Sequence, residues 1–465
     1  MFSFSKAAQE ANANGAAVRA TGVGTVQRPA TMSAFAPAYI DLKVRLHQQM
    51  LEIMNLSVID KMPQDQIKRE VGELVKELLA KETVPLNSSE RNQIAADIYD
   101  EFVGLGPIEP LLKDPTVSDI LVNTFSQVFV EREGQLELTP VKFKDDRHLV
   151  RIIDKIVAGV GRRVDESQPT VDARLPDGSR VNAVIPPIAV DGPLLSIRKF
   201  AKIPYSMEKL VEIGTVTSEI ADLLGAIVRA RLNILISGGT GSGKTTMLNA
   251  MSRFIDNRER IVTIEDAAEL QLQQIHVARM ETRPANIEGK GELTQRELVR
   301  NSLRMRPDRI VVGEVRGGEA FDMLQAMNTG HEGSMTTIHA NTPRDAMSRL
   351  EQMIGMSGLD LSMRSMRAQI ASAVHVVIQL ERMSDGRRRL ISLQEITGME
   401  SDVISMQEIF RFRRLATDAQ GRIKGEYRAT GIRPKFYHEL EVRGIHLPTA
   451  TFNPDRQLGR AGDAV

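Results

Sequence analysis

An α/β fold is predicted for the second half of this chain, preceded by an α+β domain and a small N-terminal helical module. Three observations predict it. Residues 235 to 251, LISGGTGSGKTTMLNAM, read as an apolar strand, a glycine-rich loop and the start of a helix. From residue 210 to about 400 helix-like and strand-like segments alternate, as a parallel sheet with crossover helices demands. Between residues 104 and 200, short β-rich segments alternate with turns around one helical stretch.

Residues 1 to 37 are rich in Ala, Gly, Ser and Thr with few large apolar groups, and are expected to be a mobile tail. The helical module, residues 38 to 103, has apolar positions at helical spacing: Val44, Leu51 and Met54, then Ile67, Val71, Leu74, Val75 and Leu78, then Ile94, Ile98 and Phe102. Asn87, Ser88 and Ser89 are capping candidates for its last helix, with Gln93 further on. In the α+β domain, residues 104 to 200, the strands are DILVN, QVFVER, RVNAVIPP and LLSIRKF. Turns fall at Glu133-Gly134 and Asp177-Gly178, and the helix is near HLVRIIDKIVAGV. Residues 201 to 209, AKIPYSMEK, form a short linker in which Pro204 restricts the backbone. The last region, residues 210 to 465, ends in an extension with strand-like RFRRLA and GEYRAT.

The chain has 465 residues, enough for two or three domains with real cores. Lys+Arg and Asp+Glu number 60 each, so no electrostatic footprint for nucleic acid is present. The absence of cysteine rules out disulfides and cysteine-ligated metals. No apolar run approaches the ~20 residues of a membrane span, and the first residues lack the apolar core of a signal peptide. A nucleotide site favours the cytoplasm, with any membrane association made through a partner.

The loop Gly238, Gly239, Thr240, Gly241, Ser242, Gly243, Lys244, Thr245 fits G-x-x-x-x-G-K-[ST], followed by Thr246. Glycines let successive N–H groups turn inward around phosphate oxygens, and the helix start adds its positive dipole end. Lys244 is expected to reach the β- and γ-phosphates and the Thr245 hydroxyl to ligate Mg²⁺.

Three constellations follow downstream. IVTIEDAAEL ends a strand at Glu265 and Asp266, with Glu269 close behind. RIVVGEVRGGEA ends another at Glu314 and Arg316, where a Walker B acid belongs, although that acid is usually Asp. TGHEGSMTTIHANT carries His331 and His339 around a strand-like segment, and two imidazoles there can hydrogen-bond a γ-phosphate or a neighbouring acid. Acids at parallel strand ends project into the crevice where α/β ligands bind. Singly, each acid is better explained as a surface turn residue or helix cap and each histidine as a satisfied polar group; in succession after a phosphate loop, they point to one site. His375, within AVHVVIQL, reads as a satisfied core residue. The methionines between Met323 and Met366 read as core filling, and the basic runs GRRRL and RFRRL as solvated faces.

GLGPIEPLLKDPTVSDILVN, DARLPDGSRVNAV, SGGTGSGKTT, TIEDAAEL, RPDRIVVGEVRGGEA and GHEGSMTTIHANTP together resemble the secretion ATPase superfamily, over roughly residues 40 to 400. Within it the chain resembles the CpaF-type motor ATPases of tight-adherence (Flp-type) pili. The resemblance implies a RecA-like P-loop domain, ATP and Mg²⁺ as cofactors, and a homo-hexameric ring in the cytoplasm docked on inner-membrane pilus platform proteins. It implies that Glu314 answers to the Walker B glutamate, polarising water or the Mg²⁺ shell, and that Glu265 is a second candidate base, with Glu314 slightly favoured. It also implies that His331 and His339 sense the γ-phosphate and that Arg174, Arg180 and Arg198 neutralise phosphate charge. Glutamate at the Walker B position is the superfamily's own pattern.

Two rivals stand beside the motor reading: a nucleic-acid translocase built on the same ATPase core and, from another class, a nucleotide-gated scaffold. A nucleic-acid translocase should show a basic groove or stacking aromatics, but aromatics are 4% and tryptophan is absent. A nucleotide-gated scaffold would bind ATP with little turnover.

Overall fold

A computed structural model describes residues 42, 45, 46, 49, 50 and 53, then 64–81, 87–132, 134–200, 205–283, 285, 290–456 and 458. The tail 1–37, Val44, Leu51, Met54, the Ile67 side chain, the Phe102 side chain, Glu133 and Pro204 lie outside the described residues. The chain divides into two compact units, Met1–Gly106 and Pro107–Val465.

In the first unit, helices α1 (Gln64–Lys81) and α2 (Ser88–Val103) bury a stripe made of Val71, Val75, Leu78, Leu79, Ile94 and Ile98, joined by Leu42, Leu46 and Met50. Asn87 caps α2 by accepting from the Glu90 N–H, and Glu90 returns the bond to the Asn87 N–H, so the capping box closes at Glu90 and not at Gln93.

The second unit begins with α3 (Glu109–Lys113) and strands β1 (Val117–Thr124), β2 (Gln127–Arg132) and β3 (Gln135–Leu138). Helix α4 (Asp146–Ala158) follows, capped by Asp145, and then β4 (Thr170–Arg174), β5 (Arg180–Val184) and β6 (Leu194–Arg198). These six strands form an antiparallel sheet in the order β3-β2-β1-β6-β5-β4. Period-2 alternation gives it a buried face made of Ile120, Val122, Val128, Val130, Val181, Ala183, Leu195 and Ile197, while the intervening residues Leu121, Phe129, Asn182 and Ser196 are not buried. Helix α4 turns Leu149, Ile152, Ile153, Ile156 and Val157 inward, the i, i+3, i+4 spacing of a half-buried helix.

The larger sheet is built from β7 (Ile234–Gly238), β8 (Ile261–Glu265), β9 (Val277–Glu281), β10 (Arg309–Val312), β11 (Met335–Ile338), β12 (Val376–Arg382), β13 (Arg388–Glu400), β14 (Val403–Thr417) and β15 (Ile423–Ala429). Its order is β15-β14-β13-β12-β7-β11-β10-β8-β9, and the six strands from β12 to β9 are parallel. The connecting helices are α5 (Met207–Glu212), α6 (Ser218–Arg229), α7 (Lys244–Ser252), α8 (Gln295–Ser302), α9 (Glu319–Asn328), α10 (Pro343–Gly355) and α11 (Met363–Ala373), with α12 (Phe436–Val442) near the end. Strand β7 is buried on both faces, which is why it reads as an unbroken apolar run. Ile234 and Ile236 pack with α5, α6 and α7, whereas Leu235 packs with α8 to α11.

The alternation of helix and strand stops earlier than the sequence suggests. Strand β13 returns antiparallel to β12 through a tight hairpin, and β14 and β15 continue the antiparallel extension. Most methionines between 323 and 366 are core, but Met356 is 67% exposed and Met363 also faces solvent. Of the basic runs, RFRRL lies largely at the surface, while GRRRL does not: Arg389 is buried, its guanidinium 4.8 Å from the Phe412 ring centre. The flanking acids suggested solvation, and pairing with Asp385 and aromatic stacking replaced it.

Candidate active site

The six parallel strands point their carboxyl ends to one edge of the sheet, and the phosphate loop, Glu265, Glu314 and His339 collect there. Strand β7 ends at Gly238 and the loop turns through Gly241 (φ 68°) and Gly243 (φ 93°), left-handed conformations that a Cβ would strain. A Cβ on Gly238 would stand 2.4 Å from the Ser242 hydroxyl and 2.6 Å from the Leu380 carbonyl. Gly239, Thr240 and Gly241 form the outer part of the loop. Helix α7 starts at Lys244 with no side-chain cap on its first N–H groups, an anion-receptive end. Thr245 and Thr246 occupy its first turn, half-buried. The Lys244 ammonium donates to the Gly238 and Gly239 carbonyls, both at 3.0 Å. Burial lowers its pKa, and the nearby negative charge of Glu314 opposes that shift.

Neighbouring strands bring the two glutamates alongside. Glu265, at the end of β8, is buried, and its Oε2 accepts 2.7 Å bonds from the Glu269 and Leu270 N–H groups. Its Oε1 is buried without a hydrogen-bond partner. Burial pushes this carboxyl from 4.5 to about 6, and the two backbone donors only partly offset the shift. Glu314 follows β10 by two residues. Its Oε2 accepts from Arg316 Nε at 2.8 Å, and its Oε1 lies 3.1 Å from His339 Nε2, just past β11. Burial, together with the Lys244 charge, lowers the His339 pKa despite Glu314. Arg316 also reaches Asp266 at 3.2 Å, joining the ends of β8 and β10.

His331 stands apart from the other site candidates. It precedes β11 and therefore lies at the amino edge of the sheet, with its Nδ1 3.3 Å from the Ala326 carbonyl. Strand β11 and its flanks separate it from the phosphate loop, because each strand residue advances about 3.3 Å. An eight-residue spacing looks local in sequence, but an extended segment carries its two ends to opposite sides of the sheet. His375 sits at the same amino edge, half-buried, its Nδ1 accepting from the Asn233 N–H at 3.0 Å, in keeping with its reading as a satisfied polar group.

The three arginines form a row. Cross-strand register sets Arg174 opposite Arg180 and Arg180 opposite Arg198, so all three leave the polar face of the six-stranded sheet together. Arg180 donates to Glu269 Oε1 at 2.7 Å and Arg174 lies 3.1 Å from Glu281 Oε2, while Arg198 donates to Asp119 Oδ1 at 3.1 Å. Two of the three thus meet carboxylates at the carboxyl edge of the larger sheet, and Glu269 is the residue whose N–H binds Glu265. Arg198 is held within its own sheet.

Sequence reading missed several groups here. Thr337 donates to the Gly313 carbonyl at 2.7 Å, and Gln379 donates to the Ala340 and Asn341 carbonyls, both at 3.1 Å, tying β12 to the segment after His339. Arg382 ends β12 and Arg388 begins β13; Arg388 donates to the Gly241 carbonyl at 2.8 Å. A strand-end position after VVIQL was the available signal for Arg382.

Among the described residues no group of three or more His, Asp or Glu side chains is arranged as a self-contained metal cage. Mg²⁺ bound with a nucleotide needs fewer protein ligands, because phosphates and water complete its shell. The buried Ser242 Oγ, which has no hydrogen-bond partner, and Glu314 Oε1, which faces only His339, suit such a site.

A glycine-rich phosphate loop beside two strand-end glutamates, on a parallel sheet covered on both faces, defines a P-loop ATP hydrolase. Residues 101–424 match the family described as Type II/IV secretion system protein, and the chain belongs to that family. A protein of Mycobacterium tuberculosis (strain CDC 1551 / Oshkosh), named "Putative conjugal transfer protein MT3759", is 39% identical over 338 residues, spanning 68% of this chain and 96% of its own length. The conjugal transfer protein TrbB of Rhizobium radiobacter is 34% identical over 281 residues, 60% of this chain and 83% of its own. A crystal structure of the VirB11 ATPase from the Brucella suis type IV secretion system, in complex with sulphate, is 28% identical with a TM-score of 0.34, covering 62% of this chain and 94% of that one.

Proposed function

We propose that this chain is the motor ATPase of a tight-adherence, Flp-type pilus, acting as a homo-hexamer in the cytoplasm against inner-membrane platform proteins. Family membership supports the motor class, and the sequence resemblance supports the branch. No helix among the described residues is long and apolar enough to cross a membrane, which suits docking through partners. The observation that carries the reading is the convergence of Lys244, Glu265, Glu314 and His339 on one sheet edge, with Arg174 and Arg180 facing the same edge from the preceding lobe.

In this reading the loop from Gly238 to Thr246 binds the triphosphate of ATP, and Thr245 and Glu314 would hold Mg²⁺, which neutralises phosphate charge when bound. Glu314 is the favoured base for the attacking water, held in place by Arg316, and Glu265 is the alternative. His339 offers a hydrogen bond to the γ-phosphate. Arg174, Arg180 and Arg198 are lent to a nucleotide once they leave their carboxylate partners, so that lobe position depends on what is bound. The test is phosphate release by the purified protein together with its mass with and without a non-hydrolysable ATP analogue. Turnover and a nucleotide-dependent six-subunit mass are expected; a monomer that releases no phosphate refutes the motor. The relatives named for conjugal transfer favour a second reading, an ATPase serving a conjugation channel. Loss of pili, or of DNA transfer, on deletion of the gene separates the two.

A further inference from the structure

Two cations over the phosphate loop have no part in the catalytic scheme above. Arg388 Nε donates to the Gly241 carbonyl at 2.8 Å, and its Cδ lies 3.4 Å from where a Cβ on Gly243 would stand. The same guanidinium is 3.7 Å from Glu131 Oε1, on β2 of the six-stranded sheet. Arg382 donates to the Gly134 carbonyl beyond the end of β2, lies 4.0 Å from the same Glu131 oxygen, and has its Nη1 3.4 Å from a Cβ built on Gly241. Both arginines therefore stand between the tip of the loop and the amino-terminal lobe, and one carboxylate serves both. Glu131 is 17% exposed and Arg388 38%, so the pair is screened by water without being lost to it. A loop-bound polyphosphate would carry several negative charges against the single charge of Glu131, and both arginines stand beside the loop glycines Gly241 and Gly243.

We propose that Arg388, assisted by Arg382, is a positioning residue for the nucleotide reaction, and that Glu131 and a phosphate held in the loop compete for the two guanidiniums. Filling the loop then loosens the amino-terminal lobe at this corner, and a lobe held by Glu131 weakens phosphate binding by the same factor, since coupling between sites is reciprocal. This rests on the ATP-binding reading of the loop.

The experiment measures the affinity of a fluorescent ATP analogue, and kcat and KM for phosphate release, in the full chain and in Glu131→Gln, Arg388→Gln, Arg382→Gln/Arg388→Gln, and that double variant with Glu131→Gln added. Removing the competitor in Glu131→Gln is expected to tighten nucleotide binding about two- to fivefold, the size of a partly exposed ion pair, with KM moving more than kcat. Arg388→Gln is expected to weaken binding, and Glu131→Gln is expected to change nothing further once both arginines are gone. Glu131→Asp, which keeps the charge but shortens its reach, provides the same tightening if the glutamine variant does not fold. Unchanged or weaker affinity in a folded Glu131 variant, or an equal effect of Glu131→Gln with and without the arginines, overturns the proposal. Wild-type binding no tighter than that of Lys244→Ala is a separate result: it removes the loop assignment and this proposal with it.

Discussion

Replacing Glu265 with glutamine should change how stability depends on pH while leaving the shape of the site almost intact. The carboxyl is buried, one oxygen accepts two backbone N–H groups and the other has no partner, and its pKa rises from 4.5 to about 6. The folded protein therefore holds this proton more tightly than the unfolded chain does. Between about pH 4.5 and pH 6 the folded state binds more protons, so stability falls as pH rises through that window. One and a half pH units correspond to about 2 kcal/mol. Below the window the protonated carboxyl makes no such charge demand; above it the full cost of an ionised, buried carboxylate is present. Glu265→Gln cannot ionise, so its stability relative to wild type should increase by about 2 kcal/mol between pH 4.5 and 7. Denaturant unfolding of the two proteins at matched pH, followed by far-ultraviolet circular dichroism, measures this difference, and the remaining carboxylates largely cancel in the comparison. Two curves that stay parallel across the window would refute the burial argument and with it the view of Glu265 as a base poised near neutral pH.

Lys244→Ala removes the cation at the head of α7 and is expected to abolish phosphate release; turnover like that of wild type would remove the site assignment. Glu314→Gln keeps the neighbours of that side chain but loses its basicity, so nucleotide binding should persist while hydrolysis slows by about 10²–10⁴-fold, and brisk phosphate release would move the base to Glu265. Arg309, fully buried, forms a two-point pair with Glu259 and donates to the Val228 carbonyl. Arg309→Met should therefore cost about 3–5 kcal/mol in denaturant unfolding by leaving Glu259 short of a partner, and a loss under 1 kcal/mol would show that Arg231, 3.0 Å from Glu259, compensates alone.

Sequence alone determined what is written in local pattern. The phosphate loop follows from glycine freedom, an adjacent strand and a helix start, all within seventeen residues. The half-buried strands and helices follow from periods of 2 and 3.6, and the acids at 265 and 314 stand out because each closes an apolar run. Tertiary structure decided what depends on registers between distant segments. Strand pairing put Arg174, Arg180 and Arg198 in one row, which no spacing along the chain encodes. Strand direction sent His331 to the far edge of the sheet while leaving His339 beside Glu314. A hairpin between β12 and β13 drew Arg382 and Arg388 over the loop and buried Arg389, although flanking acids made that run look solvated. The physical reason is the range of the interactions: propensity and periodicity act within a few residues, whereas a hydrogen bond or an ion pair forms wherever packing of the whole chain brings two groups within about 3 Å.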